Sequence, residues 1–124
     1  KLNIFPEEVI KRNQRAKFFS ENISDVYVKP FIPKNYISSW AQYSILASSH
    51  EHREVVIKHL SKKNIPVMIY YPIPLHEQTV NSDLKKVECP IASDIAKRIF
   101  SIPMHPYLND QDQQLIYSSL NEIE

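Results

Sequence analysis

Tyr36-Ile37-Ser38-Ser39-Trp40-Ala41-Gln42-Tyr43-Ser44-Ile45-Leu46-Ala47 is the stretch of this 124-residue chain whose pattern decides the fold class. β-Formers dominate it. Ala41, Tyr43, Ile45 and Ala47 fall on one face, with Trp40, Gln42, Ser44 and Leu46 on the other. The alternation predicts a strand covered on most of both faces. Upstream, Pro6 is placed to open a helix, Glu7 and Glu8 favour its positive end, and Val9, Ala16, Phe19 and Ile23 recur at helical spacing. A helix over about 6–22 is expected. Between it and the strand, Pro30 and Pro33 break an apolar run and imply an extended edge or loop over residues 25–34.

Downstream, Ser48 and Glu51 have capping-box spacing, Val56, Ile57 and Leu60 form an apolar stripe, and Lys62 and Lys63 stand where a helix end favours cations. Asn64 takes the place of the usual terminal glycine. Val67–Tyr71 reads as a second strand, halted by Pro72 and Pro74. Residues 77–89 are polar and aperiodic, which implies a loop. Pro90 then opens a short helix through Ile91, Ile95 and Ile99, and Phe100–Ile102 can form a third strand. Asn109, with Asp110 and Asp112, caps a last helix that buries Ile116, Leu120 and Ile123. The expected fold is one α+β domain over residues 1–124: a small, mostly antiparallel sheet covered by helices, in preference to a doubly wound one.

Composition limits what the domain can do. It is 43% hydrophobic and 23% charged, as expected of a folded globular domain. The 15 basic and 14 acidic residues are intermixed, which argues against nucleic acid as a partner. No apolar run reaches the roughly 20 residues of a spanning helix, so no membrane partner is expected. Cys89 stands alone, which excludes an intrachain disulfide and fits a cytoplasmic setting. The absence of glycine excludes phosphate-cradling loops of the GxGxxG type. The first residue is Lys1, not Met, and the expectation drawn from it is a piece of a longer polypeptide.

Five histidines raise the question of a metal. His50, His52 and His59 lie on one expected helix, and no carboxylate or cysteine completes a ligand set at recognisable spacing, so no metal residue is assigned. Cys89, just before Pro90, reads as a partly buried structural thiol and not a nucleophile. The stretch Tyr70-Tyr71-Pro72-Ile73-Pro74-Leu75-His76 is different, because two tyrosines, two prolines and a histidine at a strand's end make a rigid rim with polar tips. It reads either as a ligand-contacting wall or as a proline-stiffened connection whose aromatics merely pack. Pro103-Met104-His105-Pro106-Tyr107 reads as a stiff turn setting the approach of the last helix.

Four ordered motifs resemble one family: Ser39-Trp40-Ala41-Gln42-Tyr43-Ser44-Ile45; Ile65-Pro66 with Tyr71-Pro72-Ile73-Pro74-Leu75-His76-Glu77-Gln78; Cys89-Pro90; and Ser101-Ile102-Pro103-Met104-His105-Pro106-Tyr107-Leu108. That family is the DegT/DnrJ/EryC1/StrS aminotransferases, and the resemblance runs from Arg15-Ala16 to the last helix. Among its members the chain looks most like those that aminate UDP-linked 3-keto sugars for surface polysaccharides. The resemblance implies a fold-type I enzyme, homodimeric, that moves an amino group, commonly from glutamate, onto PLP and then onto a keto sugar nucleotide. Such chemistry requires a Schiff-base lysine, a carboxylate on the pyridinium nitrogen and a phosphate cup. The family carries these on its large domain, and no motif here matches them.

The chain therefore resembles the C-terminal small domain, with the large domain as its missing partner. No catalytic and no cofactor-binding residue is assigned, no bound cofactor is expected, and inactivity in isolation is predicted. The family's rim residues near the sugar nucleotide carry over as Tyr71 and His76. Tyr70 replaces a histidine common in relatives; it can still hydrogen-bond the substrate but cannot become cationic. The competing reading is a freestanding module of the same descent that binds a nucleotide sugar or a protein without chemistry.

Overall fold

The computed structural model describes residues 2–81 and 87–123. Its regular elements are α1 (Phe5–Asn22), β1 (Tyr43–Leu46), α2 (His50–Lys62), α3 (Pro90–Arg98), β2 (Ile99–Ile102) and α4 (Asp110–Asn121), with short 3-10 turns at Leu2–Ile4, Leu75–Glu77 and Thr79–Asn81. The expected loop over residues 77–89 falls partly on residues 82–86, which lie outside the described residues.

β1 and β2 pair antiparallel, with Tyr43 opposite Ile102 and Ile45 opposite Phe100. Period-2 alternation puts these four side chains on one face, where all are buried with Ala16, Phe19, Val56, Leu60, Ile116 and Leu120 from α1, α2 and α4. On the other face Ser44 and Ser101 join hydroxyls at 2.7 Å. The architecture is thus α+β, an antiparallel pair with helices packed on its apolar face. Tyr27, fully buried, shares its one hydroxyl proton between the Ile123 and Leu120 carbonyls, 2.8 and 3.1 Å away at the C-terminal end of α4.

The first predicted strand is much shorter than its sequence pattern. Asn35 and Trp40 adopt left-handed backbone conformations, φ 71° and 49°, that no strand accommodates. The carbonyls of Ser38 and Trp40 accept from the Asn13 and Arg12 side chains at 3.0 and 2.9 Å instead of from a neighbouring strand. The turn at Trp40 also brings its ring onto that of Tyr43, 5.4 Å away, although alternation had put the two on opposite faces. Ala41, expected inside with Tyr43, is exposed.

The predicted strand over Val67–Tyr71 reduces to a single antiparallel bridge between Met68 and Ser101. The two residues exchange hydrogen bonds of 3.1 and 2.7 Å. In one direction the next bonded pair would be Pro66 with Pro103, neither of which has an N–H to give. In the other it would use the Ile99 N–H, which already closes α3 on the Ile95 carbonyl. A similar lone bridge, Val28 to Leu46, borders β1, so of the edge or loop expected over residues 25–34 only Val28 pairs as an edge.

The helix ends follow local chemistry. Ser49, not Ser48, is the N-cap of α2, its hydroxyl accepting from the His52 N–H at 3.1 Å. Ser48 instead bonds the His52 ring at 2.7 Å. At the other end Asn64 has φ 59°, and the Ile65 and Asn64 amides return to the Leu60 and Ser61 carbonyls, a Schellman closure. Asn109 caps α4 as its sequence implied, accepting from the Asp112 N–H at 2.7 Å.

Candidate functional site

Beyond the Met68 bridge the chain bends at Tyr70, the Tyr70–Tyr71 peptide is cis, and Pro72 and Pro74 carry the backbone out to the Leu75–Glu77 turn. Tyr70 and Tyr71 meet edge to face at 5.9 Å. Tyr71 is 72% exposed, with Ile73 and Leu75 beside it in sequence also exposed, whereas Tyr70 is half-buried. The turn is closed by Glu77 N–H to the Pro74 carbonyl at 3.0 Å and by the Asn81 side-chain amide to the Leu75 carbonyl at 2.6 Å.

His76, like Tyr70, is partly buried. Its Nε2 is 3.3 Å from Ser93 Oγ, in the first turns of α3, and 3.3 Å from Glu77 Oε1. The Ser93 hydroxyl donates to Glu77 Oε1 in turn. The rim residues Tyr70, Tyr71 and His76 are therefore held on one connection, with His76 tied to α3. Glu77 lies within a quoted motif but was given no role, and Ser93 has neither a periodic nor a motif signal; only tertiary proximity, across 17 residues of chain, joins Ser93 to His76.

Elsewhere charges pair among themselves. A groove of about 470 Å³ between α1 and α4 is lined by Gln14, Arg15, Phe18, Asp110, Gln113 and Gln114. Its one guanidinium, Arg15, is committed to Asp110 and Gln113 at 2.5 Å each. Buried Arg53, 6% exposed, donates to the Ala96 carbonyl at 2.9 Å and binds α2 to α3. Tyr107 donates to Glu8 at 2.6 Å, and the nearby carboxylate holds the phenol above its ordinary range. Among the described residues no three His, Cys, Asp or Glu side chains are grouped to hold a metal ion. Nor, among them, is any helix long and apolar enough to cross a membrane.

Among the described residues, a two-stranded antiparallel sheet with four helices and a proline-stiffened aromatic rim define a small α+β domain. The DegT/DnrJ/EryC1/StrS aminotransferase family profile matches residues 1–121, and the chain belongs to that family. It is 35% identical over 121 residues to the UDP-2-acetamido-2-deoxy-3-oxo-D-glucuronate aminotransferase of Pseudomonas aeruginosa, covering 97% of this chain and 33% of that protein. It is 30% identical over 101 residues to the UDP-N-acetyl-3-dehydro-alpha-D-glucosamine 3-aminotransferase of Acidithiobacillus ferrooxidans, covering 81% and 27%. The crystal structure of a DegT DnrJ EryC1 StrS aminotransferase from Brucella abortus superposes with TM-score 0.90 at 35% identity, over 98% of this chain and 32% of that one. The chain thus spans about a third of the length of the relatives it matches.

The family is dependent on pyridoxal phosphate. The residues described here do not fit that group. Lys29 is spent on Asp25 and the Ile23 carbonyl at 2.6 and 2.9 Å, and Lys63 on both oxygens of Glu122 at 2.6 and 2.5 Å. Lys11 sits over the Tyr107 ring at 5.8 Å. These three amines are engaged by other groups, and the groove between α1 and α4 is lined by no lysine. A chain without glycine also lacks the close-approach backbone of a phosphate cup.

Proposed function

We propose that residues 1–124 form the single, C-terminal small domain of a PLP-dependent aminotransferase that transfers an amino group, from glutamate, to a UDP-linked keto sugar for cell-surface polysaccharide synthesis. The observation that carries this reading is the 35% identity across nearly the whole chain to one third of a UDP-keto-sugar aminotransferase. Tyr70, Tyr71 and His76 are the substrate-binding residues of this reading, supplying one wall of the sugar-nucleotide cleft. The cofactor lysine, pyridinium partner and phosphate cup come from the large domain. The parent works as a homodimer in the cytoplasm.

The surface supports a missing partner. The Ser38 and Trp40 carbonyls are bonded to Asn13 and Arg12 of α1, while just upstream Phe31 and Ile37 stand 84% and 83% exposed, with Tyr36 exposed between them. Exposed apolar side chains on a segment anchored to α1 at its far end suit cover by more protein, and the two thirds of length that relatives have beyond this chain is the occupant we assign.

The test is made on the full-length protein. Incubated with glutamate it should convert its PLP to the pyridoxamine form, and a UDP-linked 3-keto sugar should reverse the spectral change. The 124-residue chain mixed with PLP and borohydride should give only scattered, substoichiometric lysine adducts. One stoichiometric adduct with turnover would refute the fragment reading. A coding region with no large domain upstream would leave the binding-module alternative in its place.

A further inference from the structure

We propose that Ser93 and Glu77 are positioning residues, which hold His76 with its proton on Nε2 and leave Nδ1 to accept a hydrogen bond from a sugar hydroxyl. The inference deepens the function proposed above and rests on its reading of the rim. It begins from proton counting. A serine hydroxyl has one proton, and that of Ser93 goes to Glu77 Oε1, because an ionised carboxylate can only accept. His76 Nε2 faces the Ser93 oxygen and the same Glu77 oxygen, each at 3.3 Å. Neither has a proton left to give, so the hydrogen on that side must belong to the imidazole.

A neutral ring carries one N–H, so Nδ1 presents a lone pair. Among the described residues the ring makes no other hydrogen bond to the protein. The side chain is 20% exposed, so part of the ring is open to a ligand. A lone pair meets a hydroxyl donor favourably and a phosphate or carboxylate oxygen unfavourably. His76 therefore selects for the hydroxyl-bearing ring of a nucleotide sugar, not for its diphosphate. Anchoring on α3 also fixes the Leu75–Glu77 turn, and with it the approach of the rim from Pro74 onward.

The experiment uses the full-length protein with 15N-labelled histidine, together with Ser93→Ala, Ser93→Thr and His76→Gln, the last to assign the signal. In the parent, His76 should give the neutral pattern with a protonated Nε2 and a bare Nδ1. Ser93→Ala, which leaves Glu77 alone facing Nε2, should shift the ring nitrogens toward a mixture of tautomers and raise the KM for the keto sugar nucleotide about two- to tenfold, the usual range for one uncharged hydrogen bond. The KM for the amino donor should move less, and Ser93→Thr, which restores a hydroxyl, should recover both signal and KM.

A proton on Nδ1 in the parent, or a doubly protonated ring at neutral pH, overturns the proposal. So does a Ser93→Ala protein whose two KM values rise together with a lowered melting temperature, the behaviour of a structural contact. If the parent aminates no sugar nucleotide, the functional reading fails and the hydroxyl assignment with it. The nitrogen spectrum still decides the Ser93–Glu77 clamp by itself.

Discussion

Tyr71 and His76 sit five residues apart on one connection, yet the structure gives them different consequences. Tyr71 is exposed and its ring meets only the edge of Tyr70 among the described residues, so Tyr71→Phe should leave the melting temperature unchanged. On the proposed function it should weaken the sugar-nucleotide half-reaction by a few-fold to about tenfold, measured by single-turnover absorbance. His76→Ala should do the same and also lower the melting temperature, because it frees Ser93 and the Leu75–Glu77 turn. Equal losses in both half-reactions for Tyr71→Phe would remove that residue from the site. Asn64, at φ 59°, gives a second residue-scale test. Asn64→Gly should hold or raise stability, whereas Asn64→Ala should cost roughly 1 kcal/mol, since a Cβ without a polar tip is disfavoured there. Denaturant melts of the pair check the order.

For the elements, terminal chemistry and backbone supply matter more than propensity. Ser49 receives the His52 N–H at the start of α2, so Ser49→Ala should cost about 1 kcal/mol, while Ser48→Ala, which touches only the His52 ring, should cost less. Chemical melts that rank the two the other way would return the cap to Ser48. Strand length shows the limit of pattern. The alternation over residues 36–47 is real in Tyr43, Ile45 and Ala47, all buried, but a side chain from α1 can take a carbonyl that the pattern assigns to a ladder. The second strand fails for a reason legible in hindsight: Pro66 and Pro103 stand opposite one another, and that coincidence becomes visible only when the register is known.

On the scale of the whole molecule, exposed ion pairs stitch distant helices together. Lys63 and His59 of the α2 end meet Glu122 just after α4, and the Lys63 bond holds the Glu122 carboxyl below its ordinary 4.5. A carboxyl whose folded value lies below its unfolded one contributes stability above the unfolded value and loses it as the pH falls through the folded one. Asp25 and Asp94, lowered by Lys29 and Arg98, act with the same sign from their ordinary 3.8. Melting temperature should therefore fall on acidification below about pH 4.5, and Glu122→Gln should flatten that limb. An unchanged acid limb would show the bond to be too solvent-screened to matter. The outward apolar segment makes a separate prediction: the 124-residue chain should self-associate in light scattering, and Phe31→Ser with Ile37→Ser should suppress this. A strictly monomeric parent fragment would argue against a covered face.

The sequence by itself determined the helices, because capping residues, helix-opening prolines and apolar periodicity act within a few residues: α1, α3 and α4 fall where Pro6, Pro90 and Asn109 imply, and α2 begins one residue later than the Ser48–Glu51 spacing implies. It also determined the family, through motifs whose order survives in one dimension. Only the tertiary structure decided how little of each strand pairs, since a ladder needs free N–H groups on two segments and one of them is always distant in sequence. The same holds for the rim. Tyr71 and His76 can be picked out by residue type and motif, but the Ser93 and Glu77 contacts that orient His76 exist only because α3 folds back against the Leu75–Glu77 turn, and sequence spacing carries no record of that approach.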